Sequence, residues 1–231
     1  MKSKTPFIII LLVLAVAIGG AWYLRKAATT KGPGAISNRT PASNTTAPPA
    51  TAGVNGAEPP HTLGPATAPV HLEEFGDFEC PPCGLLHPIL EQMHNEFGDR
   101  LQITFREFPL VPTHQHAMAA ASAAEAAGVQ GKFWEMHDLL YEHQKDWHEV
   151  FDVRPIFEGY AKQIGLDVER YKRDVNSDAV ADRIIQDGKR GHYLGVKGTP
   201  TVFLNGREVP FESLPADKLR VLINNELSGS R

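Results

Sequence analysis

The stretch that decides the fold is GDFECPPCG, which runs from Gly76 to Gly84. It contains the only two cysteines of the chain, Cys80 and Cys83, and two prolines separate them. An apolar, strand-like run precedes the stretch and a helix-like run follows it. Two thiols at this spacing can close a small disulfide ring or hold one metal ion, so the spacing alone leaves both uses open.

The acidic charge of the chain is concentrated after residue 60. The 231 residues carry a net charge of -4, yet residues 1–60 carry six Lys/Arg against the single acid Glu58, so the remainder carries -9. An acidic domain repels phosphate backbones, which argues against a nucleic-acid partner. Two cysteines in a chain of this length do not form a disulfide scaffold, and at a strand–helix junction they indicate redox or metal chemistry.

The N-terminal residues predict a membrane anchor. Residues 7–24 form an uncharged apolar run of 18 residues, near the lower limit for a helix that spans a bilayer. Trp22-Tyr23 lie near its end and Arg25-Lys26 follow it, a pattern typical of the membrane interface. We expect residues 1–6 to lie in the cytoplasm and residues 7–24 to span the membrane. The alternative is a cleaved signal peptide, because Ala15-Val16-Ala17 fits the small-x-small rule for cleavage.

Residues 25–60 predict a flexible linker. They are rich in Ala, Thr and Pro and contain few large apolar side chains, so they cannot bury enough apolar surface to offset their chain entropy. We expect the folded domain to occupy residues 61–231.

Within residues 61–231 the hydrophobic periodicity alternates between strands and helices. The predicted elements are a strand at Val70–Phe75, a helix at residues 85–97, a strand at Leu101–Phe108, helices over residues 113–194, a hairpin at residues 201–209 and a last helix that begins at Ser213. The two strands that flank a helix should pair in parallel, and the hairpin should add antiparallel strands. The predicted fold class is α/β, with a mixed central sheet, helices on both faces and an inserted helical subdomain at about 113–194.

Four stretches occur in an order that resembles a known family. They are LGPATAPV at 63–70, FGDFECPPC at 75–83, GKFWE at 131–135 and VKGTPTVFLNG at 196–206. Together they resemble the DsbA-like branch of the thioredoxin superfamily, which implies a thioredoxin-like fold and a thiol–disulfide oxidoreductase without a cofactor. The resemblance also implies that Pro200 is cis and faces the cysteine pair, and that Thr199 and Pro200 contact the substrate.

The position of the cysteines predicts their roles. Cys80 falls where a strand gives way to a helix, so unpaired amides and the positive end of the helix dipole should favour its thiolate. Pro81 and Pro82 suit the first helical turn, where their missing amides would be unpaired in any case. We expect Cys80 to attack and Cys83, one turn deeper, to resolve the mixed disulfide.

Pro82 bears on the direction of electron flow. A histidine at this position can stabilise the neighbouring thiolate by charge or by a hydrogen bond, whereas proline can do neither. We therefore expect a weaker oxidant than DsbA proteins that carry Pro-His, whose potential is roughly -120 mV. Thr199 before the expected cis-proline resembles isomerases and some reductases, which keeps both activities open as alternatives to an oxidase.

Glu74 is a candidate proton acceptor. It lies six residues before Cys80 and shares a strand face with Val70 and Leu72, which suggests that it points into the core. A carboxyl group in an apolar interior has a raised pKa and can accept the proton of Cys83. The alternative is an exposed carboxylate on an edge strand.

We expect no metal in this protein. His87 could join Cys80 and Cys83 in a metal site, but a closed zinc site needs four ligands and the chain has no further cysteine. A different class of function, a copper-binding module that uses the two thiols as soft ligands, remains as an alternative.

The combined prediction is a membrane-anchored oxidoreductase whose domain lies on the periplasmic or extracellular side, because disulfides persist there. Its expected partners are exported proteins with free thiols or disulfides and a redox partner in the membrane. Isomerases of this superfamily usually dimerise through an added domain and this sequence shows no such segment, so an isomerase is the weaker of the two alternatives. We expect a monomer.

Overall fold

The computed structural model of the chain describes residues 54–229. The predicted cytoplasmic residues 1–6, the predicted anchor at 7–24 and the predicted linker up to residue 53 lie outside the described residues. Within residues 54–229, no helix combines the length and the apolar character that a membrane crossing requires.

Five strands and eight α-helices form the part of the chain that the structure describes. The strands are β1 (His61–Leu63), β2 (Val70–Gly76), β3 (Leu101–Glu107), β4 (Thr201–Leu204) and β5 (Arg207–Val209). The helices are α1 (Pro81–Phe97), α2 (Ala117–Gly128), α3 (Phe133–Glu142), α4 (Gln144–Trp147), α5 (Arg154–Gln163), α6 (Val168–Asp174), α7 (Asp178–Leu194) and α8 (Ala216–Gly229).

The strands form one mixed sheet in the order β1-β3-β2-β4-β5. The central strand β2 is parallel to β3 and antiparallel to β4, so that Glu74 lies opposite Phe105 on one side and Val202 on the other. At the β4–β5 turn, Asn205 and Gly206 have φ angles of 47° and 77°, as the predicted type I′ turn requires. The predicted fold class is confirmed.

Helices cover both faces of the sheet. On one face, α1 and α8 pack against β2 through a cluster that includes Leu72, Leu90 and Ile223. On the opposite face α7 lies against the sheet, and its Arg190 forms an ion pair with Glu73. The helical insertion, α2 to α7, therefore contributes one of the two covering layers.

The insertion also packs against the end of the sheet from which the chain passes from β2 to the cysteines. An apolar cluster forms at this contact. Six alanines of α2 are almost completely buried in it: Ala120, Ala121, Ala123, Ala124, Ala126 and Ala127. Their small side chains allow the neighbouring helices to approach closely. Phe78 and Cys83 belong to the same apolar cluster, so the cysteine stretch and the insertion share one core.

The strand β1 is absent from the sequence prediction. Its three residues pair antiparallel with β3, and so short a segment shows no alternation of apolar and polar residues. Just before it, Ala57 donates its amide to Asp187 at 2.7 Å and its carbonyl accepts from Arg106 at 2.8 Å. Residues that the sequence places at the end of the linker thus contact the domain.

Candidate active site

Cys80 lies at the N-terminus of α1. Its backbone is extended (φ -72°, ψ 117°), and the helix begins at Pro81. Cys83 lies one turn further along and is completely buried, whereas Cys80 retains 4% of its surface. Both are free thiols. Cys80 is thus the more exposed of the two sulfurs and lies at the positive end of the α1 dipole.

The loop before β4 brings Thr199 and Pro200 to Cys80. The Thr199–Pro200 peptide bond is cis, and the Cys80 thiol donates to the carbonyl oxygen of Thr199 at 3.3 Å. The Thr199 hydroxyl is buried and has no hydrogen-bond partner within residues 54–229. It is therefore available to donate to Cys80 once the thiol loses its proton.

The two thiols differ in acidity. The pKa of Cys80 is lowered to about 6, first by a hydrogen bond from the Cys83 side chain and then by the Thr199 side chain and the Cys83 backbone. The pKa of Cys83 is raised well above its ordinary value, chiefly by burial and also by the nearby charges of Glu74 and Cys80. At neutral pH the site therefore holds one thiolate and one protonated thiol.

Glu74 points into the core beneath the thiols. It is buried on the central strand, so the alternative of an exposed edge-strand carboxylate is wrong. Burial raises the pKa of Glu74 to about 8, and the negative charge of Cys80 adds to the shift. Its Oε1 atom has no hydrogen-bond partner among the described residues. Such a group can hold or accept a proton beside Cys83 near neutral pH.

Glu73, on the opposite face of β2, does not share this role. Its carboxylate accepts from Arg106 at 2.8 Å and from Arg190 at 2.7 Å. Burial opposes ionisation, but the two guanidinium groups prevail and lower the pKa of Glu73. Glu73 is thus paired with two arginines on one face of β2, whereas Glu74 lies near the cysteines on the other face and has no counter-ion there among the described residues.

Gln144 holds the start of α1 in place and was missed by the sequence reasoning. Its amide donates to the carbonyl oxygens of Phe78 at 2.7 Å and Cys80 at 2.9 Å. Gly84 makes room for it, because a Cβ atom there would lie 2.8 Å from the Gln144 side-chain oxygen. A glycine inside a helical pattern is the one sequence signal of this close approach.

Asp77 was also missed, although it lies within the cysteine stretch. Its buried carboxylate accepts from the amides of Glu79 and Leu110, each at 2.8 Å, and lies 2.8 Å from His114 Nδ1. These bonds fix the segment between β2 and α1. Asp77 also opposes the Cys80 thiolate, because its negative charge raises the pKa of that thiol.

An apolar groove lies beside Pro82 of the cysteine stretch and the cis-proline Pro200. Its lining residues come from α1, the cis-proline loop and the segment before α8: Pro82, Leu85, Leu86, Ile89, Pro200, Phe211, Glu212, Leu214, Pro215 and Ala216. Leu85 and Phe211 are largely exposed within it. The groove therefore offers uncovered apolar surface next to Cys80.

His87 does not join the thiols. Among the described residues, no group of three or more potential metal ligands includes Cys80 or Cys83. Two further histidines have partners away from the thiols: His114 contacts Asp77, and the Nε2 atom of His116 lies 2.6 Å from the carbonyl oxygen of Val150.

The sheet order, the helix that starts at a Cys-x-x-Cys pair and the cis-proline beside the first thiol define a thioredoxin-like protein, the class that includes the thiol–disulfide oxidoreductases. A family model described as thioredoxin matches residues 57–225. The chain belongs to this family.

Solved structures with the same fold include DsbA-like proteins. Oxidised BdbD from Bacillus subtilis superposes with a TM-score of 0.63 at 24% identity, covering 76% of this chain and 98% of that one. A thioredoxin-like oxidoreductase from Silicibacter pomeroyi gives 0.58 at 25% identity, covering 71% and 91%. The thiol-disulfide exchange protein α-DsbA2 from Wolbachia pipientis gives 0.60 at 20% identity, covering 72% and 86%.

The curated relatives are much longer than the matched region. The Na(+)/H(+) antiporter NhaA 1 of Salinispora arenicola is 39% identical over 172 residues, which are 74% of this chain and 25% of the antiporter. NhaA 1 of Mycolicibacterium vanbaalenii is 39% identical over 150 residues, or 63% of this chain and 23% of the antiporter. The chain spans about a quarter of the length of the curated relatives it matches.

Proposed function

We propose that this chain is an extracytoplasmic thiol–disulfide oxidoreductase that forms disulfides in exported proteins through Cys80 and Cys83. The observation that carries the proposal is the opposite acidity of two thiols one helical turn apart, with pKa lowered to about 6 at Cys80 and raised at Cys83. The acidic, more accessible sulfur suits attack and departure, and the buried one suits resolution.

In the oxidising direction the two sulfurs begin as a disulfide. A substrate thiolate attacks the Sγ atom of Cys80, which forms a mixed disulfide and displaces Cys83 as a thiolate. Glu74, protonated below its pKa of about 8, gives that thiolate a proton. A second substrate thiolate attacks the substrate sulfur of the mixed disulfide and displaces Cys80, a good leaving group because its pKa is low. The substrate gains a disulfide and the protein gains two electrons.

The apolar groove supplies the surface for the substrate. Pro82 and Pro200 line it, so a polypeptide that occupies the groove passes beside Cys80. An unfolded exported protein exposes apolar side chains next to its cysteines, and these can cover Leu85 and Phe211. Thr199 and Pro200 would then contact the segment that carries the reacting cysteine.

The anchor and the linker complete the proposal. Residues 7–24 hold the chain in the membrane, and residues 25–60 give the domain reach on the far side, where a disulfide persists. Each oxidation leaves two electrons on the cysteine pair, so a redox partner in the membrane must remove them. A similar region in Na(+)/H(+) antiporters supports a domain that works beside a membrane.

Reduction or isomerisation at the same site is the second candidate. The pKa of Cys80, about 6, lies closer to that of thioredoxin, roughly 7, than to that of DsbA, roughly 3.5. A more basic thiolate is a poorer leaving group, which weakens the drive to oxidise substrates. Pro82, which cannot stabilise the Cys80 thiolate, and Thr199, which resembles isomerases and some reductases, also favour reduction or isomerisation.

Assays in both directions test the proposal. The oxidised full chain should form disulfides in a reduced, unfolded secreted protein faster than the reduced chain cleaves the disulfides of insulin. The Cys80→Ser variant should lose both activities. Catalysis that survives in Cys80→Ser would refute the proposed site, and insulin reduction without oxidation would establish the second candidate.

A further inference from the structure

Two buried histidines meet where α1 contacts α3. His87 and His137 are only 6% and 5% exposed, and their ring centroids lie 5.3 Å apart. The Nε2 atom of each ring is buried and has no hydrogen-bond partner within residues 54–229. Because a buried polar atom without a partner costs free energy, His87 Nε2, which faces solvent-side carboxylates, calls for an explanation that the redox site does not supply.

Two carboxylates lie at the solvent side of this pair. Asp138 Oδ1 is 2.9 Å from His137 Nδ1 and 4.0 Å from His87 Nε2. Glu91, one turn after His87 on α1, places Oε2 at 3.9 Å from the same Nε2 atom. Both carboxylate side chains are about half exposed. The nitrogen donors are thus fixed in the core, and the oxygen donors face the solvent.

Hydrogen bonding alone does not account for the arrangement. The separations of 3.9 and 4.0 Å at His87 Nε2 exceed the length of a hydrogen bond. Four ligands around a tetrahedral zinc ion, each about 2.0–2.2 Å from the metal, are about 3.3 Å from one another. The ligand atoms of His87, His137 and Asp138 all lie within 4.8 Å of one another, and the separations from Asp138 to the two rings fall on either side of that value.

We propose that His87, His137 and Asp138 form a three-ligand site for a zinc-type divalent cation that links α1 to α3. Two imidazoles and a carboxylate suit zinc and its neighbours in the first transition series. The half-exposed carboxylates leave a path for the ion to enter. Because His87 follows Cys83 by four residues, the ion would tie the helix of the cysteine pair to the helical insertion.

The test uses the full chain in detergent, without a histidine tag and with both cysteines replaced by serine. The replacement prevents the thiols from binding metal and makes the result independent of the proposed redox function. Titration with Zn²⁺ should show one ion per chain and a melting temperature that rises with the zinc concentration. Asp138→Asn and His87→Gln should each weaken zinc binding at least tenfold.

His143→Gln is the matched control. His143 lies 2.9 Å from Asp146 in a similar but exposed pair, and no second histidine accompanies it. This variant should bind zinc as tightly as the parent. Asp138→Asn changes an exposed side chain, so its melting curve without zinc should match that of the parent. Absence of one-to-one binding, or equal affinity in the parent and in Asp138→Asn, would overturn the proposal.

Discussion

Cys80 and Cys83 carry the same thiol group in different surroundings. Cys80 borders the surface at the helix start and lies among hydrogen-bond donors, whereas Cys83 lies inside an apolar cluster. The sequence could predict which sulfur comes first, because strand, prolines and helix follow one another along the chain. It could not predict that the Cys83 side chain is the largest cause of the low pKa of Cys80, because that depends on a distance.

Replacement of Cys83 should therefore alter the acidity of Cys80. Serine retains a hydroxyl donor and alanine removes it, so Cys83→Ser should keep the pKa of Cys80 near 6 while Cys83→Ala raises it toward the ordinary thiol value. The ultraviolet absorbance of the thiolate, followed against pH, measures both. Identical titration curves for the two variants would show that the Cys83 side chain does not set the pKa of Cys80.

Glu74 should make the protein less stable as pH rises. Its pKa is about 8 in the folded protein against 4.5 for an ordinary, solvated glutamate, so between these values the folded state binds more protons than the unfolded state. Stability consequently falls with pH across this window, by roughly 4 to 5 kcal/mol in total. When Glu74→Gln is unfolded with urea at several pH values, its free energy of unfolding should lack this pH-dependent contribution. The variant should also release mixed disulfides more slowly when Cys83 attacks them, which is the reverse of the first oxidative step, because Cys83 then loses its proton acceptor.

Glu107 provides the matched control for Glu74. It is equally buried on the same sheet, and burial raises its pKa well above the ordinary value. The charge of Glu74 contributes to the raised pKa of Cys83, whereas Glu107 is not among the groups that raise it. Glu107→Gln should flatten the pH dependence of stability but leave the release of mixed disulfides unchanged. Equal slowing in both variants would assign the effect to stability rather than to proton transfer.

Among the elements, α1 and the segment before α8 form the two walls of the groove. Phe211 is largely exposed there, next to the loop that carries Pro200. Phe211→Ala should raise the KM for an unfolded protein substrate several-fold and leave the reaction with glutathione disulfide unchanged, since a small disulfide does not fill the groove. Steady-state kinetics with the two substrates separate these effects.

Phe151→Ala tests whether the position of Phe211 matters. Phe151 is fully exposed and does not line the groove. Its replacement removes at least as much exposed apolar area as that of Phe211 and should leave both reactions unchanged. If Phe151→Ala raised the KM as much as Phe211→Ala, binding would depend on surface hydrophobicity in general and not on the groove.

An element could be predicted from the sequence only where its own neighbouring residues carry a recognisable pattern. The β4–β5 hairpin was predictable because Asn205-Gly206 prefers positive φ angles, and α1 was predictable from its apolar period. The strand β1 and the helix α4 were not, since three or four residues carry no measurable period. Gln144 of α4 binds the carbonyl of Cys80 across 64 positions of sequence, and Gly84 signals only that a group approaches closely, not which residue supplies it.

For the whole molecule, the central prediction concerns attachment to the membrane. If residues 7–24 are a retained anchor, the full chain should stay in the membrane fraction after an alkaline wash, and its intact mass should include the N-terminal residues. Protease added from the outside should digest the domain. A soluble product that begins after Ala17 would instead establish a cleaved signal peptide.

The redox equilibrium of Cys80 and Cys83 with glutathione tests the account most directly. We expect one reversible two-electron transition, because the pKa of Cys80 is low, Cys83 is buried and Pro82 offers no side-chain donor. Its potential should lie at roughly -180 to -270 mV, the range between disulfide isomerase and thioredoxin. A pair that does not exchange with glutathione, or a potential near roughly -120 mV, would contradict the account.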